Sequence, residues 1–595
     1  MIYVVRAPPA GAAVGLYVPA AGATASRASA IASLRRGKVE PAILGGKPGG
    51  KLVVDLHFGL PSPRPSHAVY VQLPPPGKHP NTRRYLVAID APGFHAILTS
   101  DSTRIRGLVS LPDITQTAVA LAEGKTPDIR SVGGTRDDLR KLDARMTHVH
   151  HDRGRTMVAL VITYAAFDAL APAASVVAPA AAIAASLVLS ALGATRFWLQ
   201  LLAVVALTIV LVFTGRRYVP AAVSVFLIAY VVVLAASPET NALAVLGARP
   251  DGGGRFYGIS NQVETLMLPP VIAAVVVGGA RWLVPLGALT LVTLGWSKAG
   301  ADGGGLVVFA VAFAVLYLRL RPAPLTWRRT VLAGAAAVAL VFALIGIDAA
   351  LGGSSHVTHA VGSGSLFGDF GQRMHLSWAT VTRAWYSTAL FLGCVAALVW
   401  IAARRPRRAG VDAMLVAVVV SLLVNDTPVD VILLGALGSL ALLRFESVDS
   451  RRMRRRGALI AVCLAALAAA GCGSQGVTSA KPETVVGTVK QEAPGKAIFS
   501  TQGCGACHTY KPAGPDAVGQ IGPDLDKLAT YAKQAKQPLA TFVHDSIVDP
   551  NKFVGKECPP SGTAQCPKNV MPKSYKSLPA QDLKDLVDFL TKPQG

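Results

Sequence analysis

Charged residues make up only 15% of this 595-residue chain and aromatics 6%, while 52% of its residues are apolar. So little charge excludes an ordinary soluble surface, and a mean hydropathy of +0.45 makes a membrane protein the first reading. Acidic residues are the scarcer sign, 34 against 58 Lys and Arg, for a formal net charge of +24. That excess invites a nucleic-acid partner, but its placement argues against one. No arginine occurs beyond Arg456, and the clusters Arg216-Arg217, Arg328-Arg329, Arg404 to Arg408 and Arg451 to Arg456 sit between or beside long apolar runs. Cytoplasmic loops carry such charge, so membrane topology accounts for it and no nucleic acid is expected. The opening MIYVV is interrupted by Arg6 and Pro8-Pro9, so no secretory signal is read there. Cysteine is sparse too: Cys394 and Cys463 fall in apolar runs, and Cys472, Cys504, Cys507, Cys558 and Cys566 belong to the polar tail.

What is present divides by region. Residues 1–150 mix short β-like runs (Lys51 to Leu56, Ala68 to Leu73, Tyr85 to Ile89) with Pro/Gly-rich turns such as Pro74-Pro75-Pro76-Gly77, which predicts a small mixed α/β domain. From 157 to 444, apolar runs alternate with short polar loops, and about ten membrane helices are expected. Taking the arginine clusters as cytoplasmic puts loops 215–217, 319–329 and 403–410 inside, and loops 237–263, 298–303, 349–388 and 425–430 outside. The start is open. Two separate spans at 157–172 and 174–194 leave Arg153 and Arg155 outside, whereas one broken span reverses the side of the first domain.

Residues 453–472 join a basic start, Met453-Arg454-Arg455-Arg456, to an apolar core ending at Gly471-Cys472. This reads either as a bacterial lipoprotein-like signal, with Cys472 lipidated after cleavage, or as the last membrane span. Both readings bring the tail out of the cytoplasm. Residues 473–492 are small, polar and aperiodic, a flexible tether. A compact helical domain is expected over 493–595. The fold class is therefore all-α in the main, a polytopic helical membrane domain and a small all-α tail domain, with a small N-terminal α/β domain.

Within the tail, Cys504-Gly505-Ala506-Cys507-His508 is a C-x-x-C-H arrangement. Two thiols at this spacing can add across the two vinyl groups of one haem, and the adjacent His then offers its imidazole to the iron. A zinc knuckle would want further Cys or His donors, and a thioredoxin-like pair would want a βαβ setting. For the sixth iron ligand, Met571 is the one methionine beyond the motif and His544 the one further histidine. Met571, in the extended segment Val570-Met571-Pro572, is the first choice; His544, in a helical run from Leu539 to Val548, is the alternative.

Residues 493–595 resemble a class I cytochrome c domain. The resemblance is carried by Gly495-Lys496-Ala497-Ile498-Phe499 and the haem motif on a first helix, Ile521-Gly522-Pro523-Asp524-Leu525 in the following loop, and a closing helix from Pro579 to Leu590. It implies one covalent haem c held by Cys504 and Cys507, axial ligation by His508 and Met571, and a Pro523 carbonyl that orients the His508 ring. Ile547 to Asn551 followed by Val570-Met571-Pro572 also resembles the cytochrome domains fused to terminal oxidases and dehydrogenases. Cys558 and Cys566 flank an insertion before the Met571 segment, and outside the cytoplasm a disulfide between them is expected. Tail lysines such as Lys511, Lys527, Lys568, Lys573 and Lys576 could steer docking to acidic partners or simply face solvent.

Two further features stand outside the tail. Glycine-rich loops Asp251 to Asn261 and Gly300 to Gly305 lie on the outer side in this topology, so Arg255, Glu264 and Asp302 could converge; the plainer reading leaves them as loop ends in the headgroup layer. Residues 97–122 resemble the closing portion of alkaline-phosphatase-superfamily domains, but nothing upstream supplies the metal clusters and nucleophile of that chemistry, which implies an inactive remnant. The expected function is a membrane-anchored c-type cytochrome, an electron carrier more than a catalyst, linking redox partners such as a quinol-oxidising complex and a terminal oxidase at the outer face of a multi-pass cell-membrane protein. The alternatives are a membrane enzyme or transporter with an appended redox domain, and a fused reading frame with two unrelated functions.

Overall fold

The computed structural model describes residues 2–39, 52–194, 196–213, 215–321, 326–351, 366–447, 494–514, 517–519, 521–554, 566, 570–571, 575–576, 578 and 580–592. The chain divides into two compact units, one holding the N-terminal sheet and the C-terminal helices, the other the long apolar helices between them.

Ten short strands build the N-terminal part: β1 (Ile2–Val4), β2 (Ala13–Tyr17), β3 (Thr24–Ser26), β4 (Leu56–Phe58), β5 (Ala68–Val71), β6 (Lys78–Pro80), β7 (Tyr85–Asp90), β8 (Ile97–Ser100), β9 (Leu108–Val109) and β10 (Ile129–Val132). The main sheet runs β10-β8-β2-β7-β5-β1-β4 with β9 beside β2, and β3 pairs with β6 separately. It is mixed: β2 is antiparallel to β7, with Val14 opposite Ala88, and β1 is parallel to β4 and β5. Helices α1 (Arg27–Arg36) and α2 (Leu111–Ala122) start at serine caps, Ser26 and Ser110, whose hydroxyls accept the Ser29 and Asp113 N–H groups. Their apolar sides meet the sheet over Ile2, Tyr17, Val69, Val87, Ile89 and Leu98, all fully buried. Two of the three expected strand runs correspond to β5 and β7. The third differs, because the N–H groups of Val53 and Val54 turn to the Arg35 carbonyl, and pairing starts only at Leu56.

The division between the two units falls between Leu139 and Arg140. Helix α3 (Arg136–Leu170) runs unbroken from the charged segment into the apolar one, roughly 52 Å of helix. Beyond it come α4 (Pro172–Ala191), α5 (Phe197–Phe213), α6 (Val219–Ala236), α7 (Pro238–Ala242), α8 (Asn261–Gly278), α9 (Ala280–Gly295), α10 (Gly303–Leu320), α11 (Trp327–Ala350), α12 (Leu366–Thr382), α13 (Trp385–Ala402), α14 (Ala409–Val424) and α15 (Pro428–Glu446). Among the described residues seven helices are long and apolar enough to cross a membrane, and α5, α9 and α14 are shorter apolar helices. Most of α8 and nearly all of α15 are buried, which puts them at the centre of the bundle. Large apolar side chains such as Leu202, Val225, Leu332 and Leu392 point outward on α5, α6, α11 and α13, as a lipid-facing surface requires.

Polar contacts gather at the two ends of this bundle. At one end the Arg216 guanidinium lies over the Phe445 ring, 4.0 Å from its centroid, Arg319 and Arg407 each reach Asp412 at 3.1 Å, and Arg444 reaches Asp168 at 3.2 Å. At the other, Arg145 donates to Ser190, Ser190 to the Thr240 carbonyl, and Arg153 and His150 share Asp251 at 2.8 and 2.7 Å. Helix α3 is thus held at both ends, by Arg145, His150 and Arg153 at one and by Asp168 at the other, and α3 and α4 are two separate antiparallel helices. The arginine-bearing loops expected to share a side do share an end.

Among the described residues the tail contributes four helices: α16 (Pro494–Thr501), α17 (Leu528–Gln534), α18 (Leu539–Val548) and α19 (Ala580–Thr591). Helices α16 and α19 cross so closely that a Cβ on Gly495 would lie 2.0 Å from the Asp585 carbonyl oxygen; only glycine fits there. Phe499, Tyr510 and Phe589 pack their rings together at the crossing, with centroids 5.5 to 5.9 Å apart. The Tyr510 hydroxyl donates to the Phe589 carbonyl at 3.1 Å.

Candidate haem site

The C-x-x-C-H residues do not continue α16. Gly503 takes a left-handed backbone, φ +71°, ends the helix and starts a separate tight turn over Cys504–Ala506. Within it Cys507 N and His508 N both donate to the Cys504 carbonyl, at 3.1 and 3.0 Å, so the two thiols and the imidazole stand on one short turn. Cys504 and Cys507 are free thiols. Burial pushes the Cys504 thiol up to about 12, with Cys507 beside it adding to the effect, and pushes Cys507 up to about 11. Among the described residues no three His, Cys, Asp or Glu side chains come together as a metal cage.

The loop after the motif closes over the histidine. Ile521 N and Gly522 N donate to the Cys507 carbonyl at 3.1 and 2.7 Å. A Cβ on Gly522 would sit 2.3 Å from His508 Cε1 and 2.6 Å from Nδ1, so glycine is what lets the backbone cross the ring face. One residue on, the Pro523 carbonyl lies 2.8 Å from His508 Nδ1. A carbonyl only accepts, so Nδ1 carries the proton and Nε2 keeps its lone pair free. Burial lowers the His508 pKa, and the bond to Pro523 offsets only part of that. The ring is therefore held neutral, in one tautomer and one orientation, which is what an iron ligand needs.

Met571 is half-buried and packs against the same apolar core as Cys504 and Leu525. Four residues further along, the Tyr575 hydroxyl donates to the Gln502 carbonyl at 3.1 Å, which brings the Met571 segment beside the start of the haem motif. His544 is exposed on α18, its Nδ1 3.3 Å from Asp545, which also binds Lys552. Cys566 is buried and disulfide-bonded. Cys558, Cys472, Pro572, Lys568 and Lys573 lie outside the described residues.

The two glycine-rich loops of the membrane unit do meet. Arg255 Nη2 is 4.0 Å from Asp302 Oδ1, and Glu264, fully buried, accepts from Asn425 Nδ2 at 2.8 Å and Ser421 Oγ at 3.5 Å. A Cβ on Gly305 would lie 2.8 Å from Asp302 Oδ2 and 3.0 Å from Glu264 Cγ, so the glycine brings the two carboxylates together. Glu264 and Asp302 are buried, whereas the Arg255 side chain is 37% exposed. Asn425, Ser421 and the pairing of His150 and Arg153 with Asp251 were not singled out from the sequence. Each partner is more than ninety positions away, and the one available signal was a buried-type polar residue between apolar runs.

Comparison with family models, curated proteins and solved structures finds no match to this chain. The reading of the site therefore rests on its own geometry.

Proposed function

We propose that the tail is a c-type cytochrome domain, tethered to a polytopic membrane unit at its outer face, that passes single electrons between redox proteins. The observation that carries this reading is His508: its ring is fixed through Nδ1 by Pro523 at 2.8 Å, its Nε2 is free, and two unpaired thiols stand on the same turn. These residues fit a covalently held haem c, with Cys504 and Cys507 as thioether donors, His508 as one axial ligand and Met571 as the other. Such a six-coordinate haem supplies one-electron redox chemistry and leaves no open position for substrate. The chain's own work is to hold the imidazole neutral and oriented, to keep water from the ring by burial, and to present Met571 from a segment tied back through Tyr575. Redox partners such as a quinol-oxidising complex and a terminal oxidase suit a carrier at this location.

The test uses the full chain. Replacing Cys504 and Cys507 together by Ala should remove every trace of haem that survives denaturing electrophoresis, and persistence of the stain sinks the assignment. Met571→His should lower the midpoint potential and abolish the weak near-infrared sulfur-to-iron band of the oxidised protein, since a second imidazole favours ferric iron. His544→Ala should change neither. A high-spin iron in His544→Ala would instead make His544 the ligand.

A further inference from the structure

The side of the membrane on which the N-terminal α/β domain lies follows from contacts inside the membrane unit. Helix α3 begins at the end of the bundle where Arg145 meets Ser190 and where His150 and Arg153 bind Asp251 of the loop between α7 and α8. Arg153 also donates to the carbonyls of Val245 and Ala248 in that loop. It finishes at the opposite end, where Asp168 Oδ2 and the Ala169 carbonyl bind Arg444 near the close of α15. That second end is the one occupied by Arg216, Arg319 and Arg404 to Arg408. Positive charge of this density marks the cytoplasmic side. The domain that precedes α3 must therefore begin from the other side.

We propose that the N-terminal α/β domain is extracytoplasmic and shares its compartment with the haem tail, so that any partner or substrate it binds is met outside the cytoplasm. The outward direction rests on the reading given above for the tail, which leaves α15 at the arginine-bearing end and returns through the apolar run 457–470. The local charge opposes this placement, since Arg136, Arg140, Lys141, Arg145, Arg153 and Arg155 all precede the apolar half of α3. One feature weakens that opposition: Arg153 is buried and paired with Asp251. The arginine loops further along the chain then decide the orientation of the whole bundle, as later charges can.

The experiment places a site-specific protease sequence at three points of the full chain, one per variant: at Gly124, in the exposed turn after α2 with open space around it, at Arg405 between α13 and α14, and in the tether at 473–492. Protease is added to spheroplasts and, separately, to lysed membranes, where all three must be cut. The expected result is cleavage at Gly124 and in the tether in intact spheroplasts, with Arg405 protected until lysis. Cleavage at Gly124 only in company with Arg405 overturns the proposal. If Gly124 and the tether are both protected while Arg405 is cut, the shared side stands and it is the outward reading of the tail that fails.

Discussion

The C-terminal tail and the membrane unit hold their buried polar side chains in different ways. In the tail the partners are backbone carbonyls: Pro523 for His508, Phe589 for Tyr510 and Gln502 for Tyr575. In the membrane unit the buried charged and amide side chains pair mostly with other side chains, Asp251 with Arg153 and His150, Asp168 with Arg444, Asn425 with Glu264 and Asp430 with Gln262, while the hydroxyls of Thr208, Thr293 and Ser439 donate to the carbonyl four residues back. The difference follows from where free carbonyls exist. A small loop-rich domain leaves many backbone groups outside helices, whereas a membrane helix has paired its own, so a charged or amide side chain there meets another side chain or a carbonyl at a helix end or loop. The exceptions obey the same rule, since the carbonyls that receive Arg153 and Arg444 belong to a loop and to the last turn of α3. Breaking a membrane pair strands a buried charge; breaking a tail bond strands at most a neutral carbonyl.

The largest effect is expected at Arg444, whose side chain is 3% exposed against an Asp168 that is fully buried. Arg444→Met alone should cost about 3–5 kcal/mol of stability, because the fully buried Asp168 carboxyl loses its partner. Pairing it with Asp168→Leu should recover most of that loss, as removal of both charges does elsewhere. Thermal unfolding in lipid nanodiscs measures both. A single variant as stable as the parent would show that the membrane unit is no more exacting than the tail.

Asp251 comes next. Burial alone would push its carboxyl up, but Arg153 and His150 outweigh burial and hold it well below the usual carboxylate range. A carboxylate depressed in this way stabilises the fold fully above the unfolded value of about 4 and loses that contribution only as pH falls through its lower folded value. Asp251→Ala should therefore cost about 3 kcal/mol at neutral pH, with the buried Arg153 left without its carboxylate partner. Melting temperatures across the acid range should show the gap to the parent holding steady down to about pH 4 and narrowing below it. A gap that already closes between pH 7 and 5 contradicts the pairing.

What could be read from the sequence tracks this same contrast. Helix α18 has the bounds its pattern implied, Leu539–Val548, and α19 is displaced by one residue from the expected Pro579 to Leu590. Local apolar periodicity encodes such helices directly. The haem motif was expected on the first helix, yet Gly503 breaks α16 before it; the glycine itself was the signal. In the membrane unit the convergence of Arg255, Glu264 and Asp302 could be anticipated from loop topology, but Asn425 and Ser421 could not, because nothing local links them to Glu264 across more than 150 residues. The division between the two units lies about ten residues before the expected position near 150, inside a continuous helix. Charge ends at Arg155 and apolar sequence begins, but a change of solvent does not require a change of backbone, and α3 continues through it.

A smaller loss is expected in the tail at Gly522. In Gly522→Ala the new Cβ would occupy space 2.3 Å from His508 Cε1, so the ring or the loop must move and the bond to Pro523 must lengthen. Overpacking of this kind costs about 1–3 kcal/mol. Under the cytochrome reading the same variant should hold less haem per polypeptide, read from the absorbance of the purified full chain. Unchanged stability and haem content would mean that the close approach of loop and ring has no part in holding His508.

The smallest effect is predicted for Tyr575→Phe, and it tests the contrast most directly. The Tyr575 hydroxyl makes one neutral hydrogen bond, to the Gln502 carbonyl at 3.1 Å, while its ring stays packed in the tail core. Phenylalanine keeps the ring and removes only the hydroxyl, so the loss should be about 1 kcal/mol, the net value of one such bond. Under the cytochrome reading, denaturant titration of the full chain followed through the haem absorbance should show a modestly earlier tail transition. Unfolding of the membrane unit, followed by helical circular dichroism, should not move. A loss near that of Arg444→Met would mean that Tyr575 belongs to a buried network of the kind found among the membrane helices, and the division between backbone-held and side-chain-held polar groups would fail.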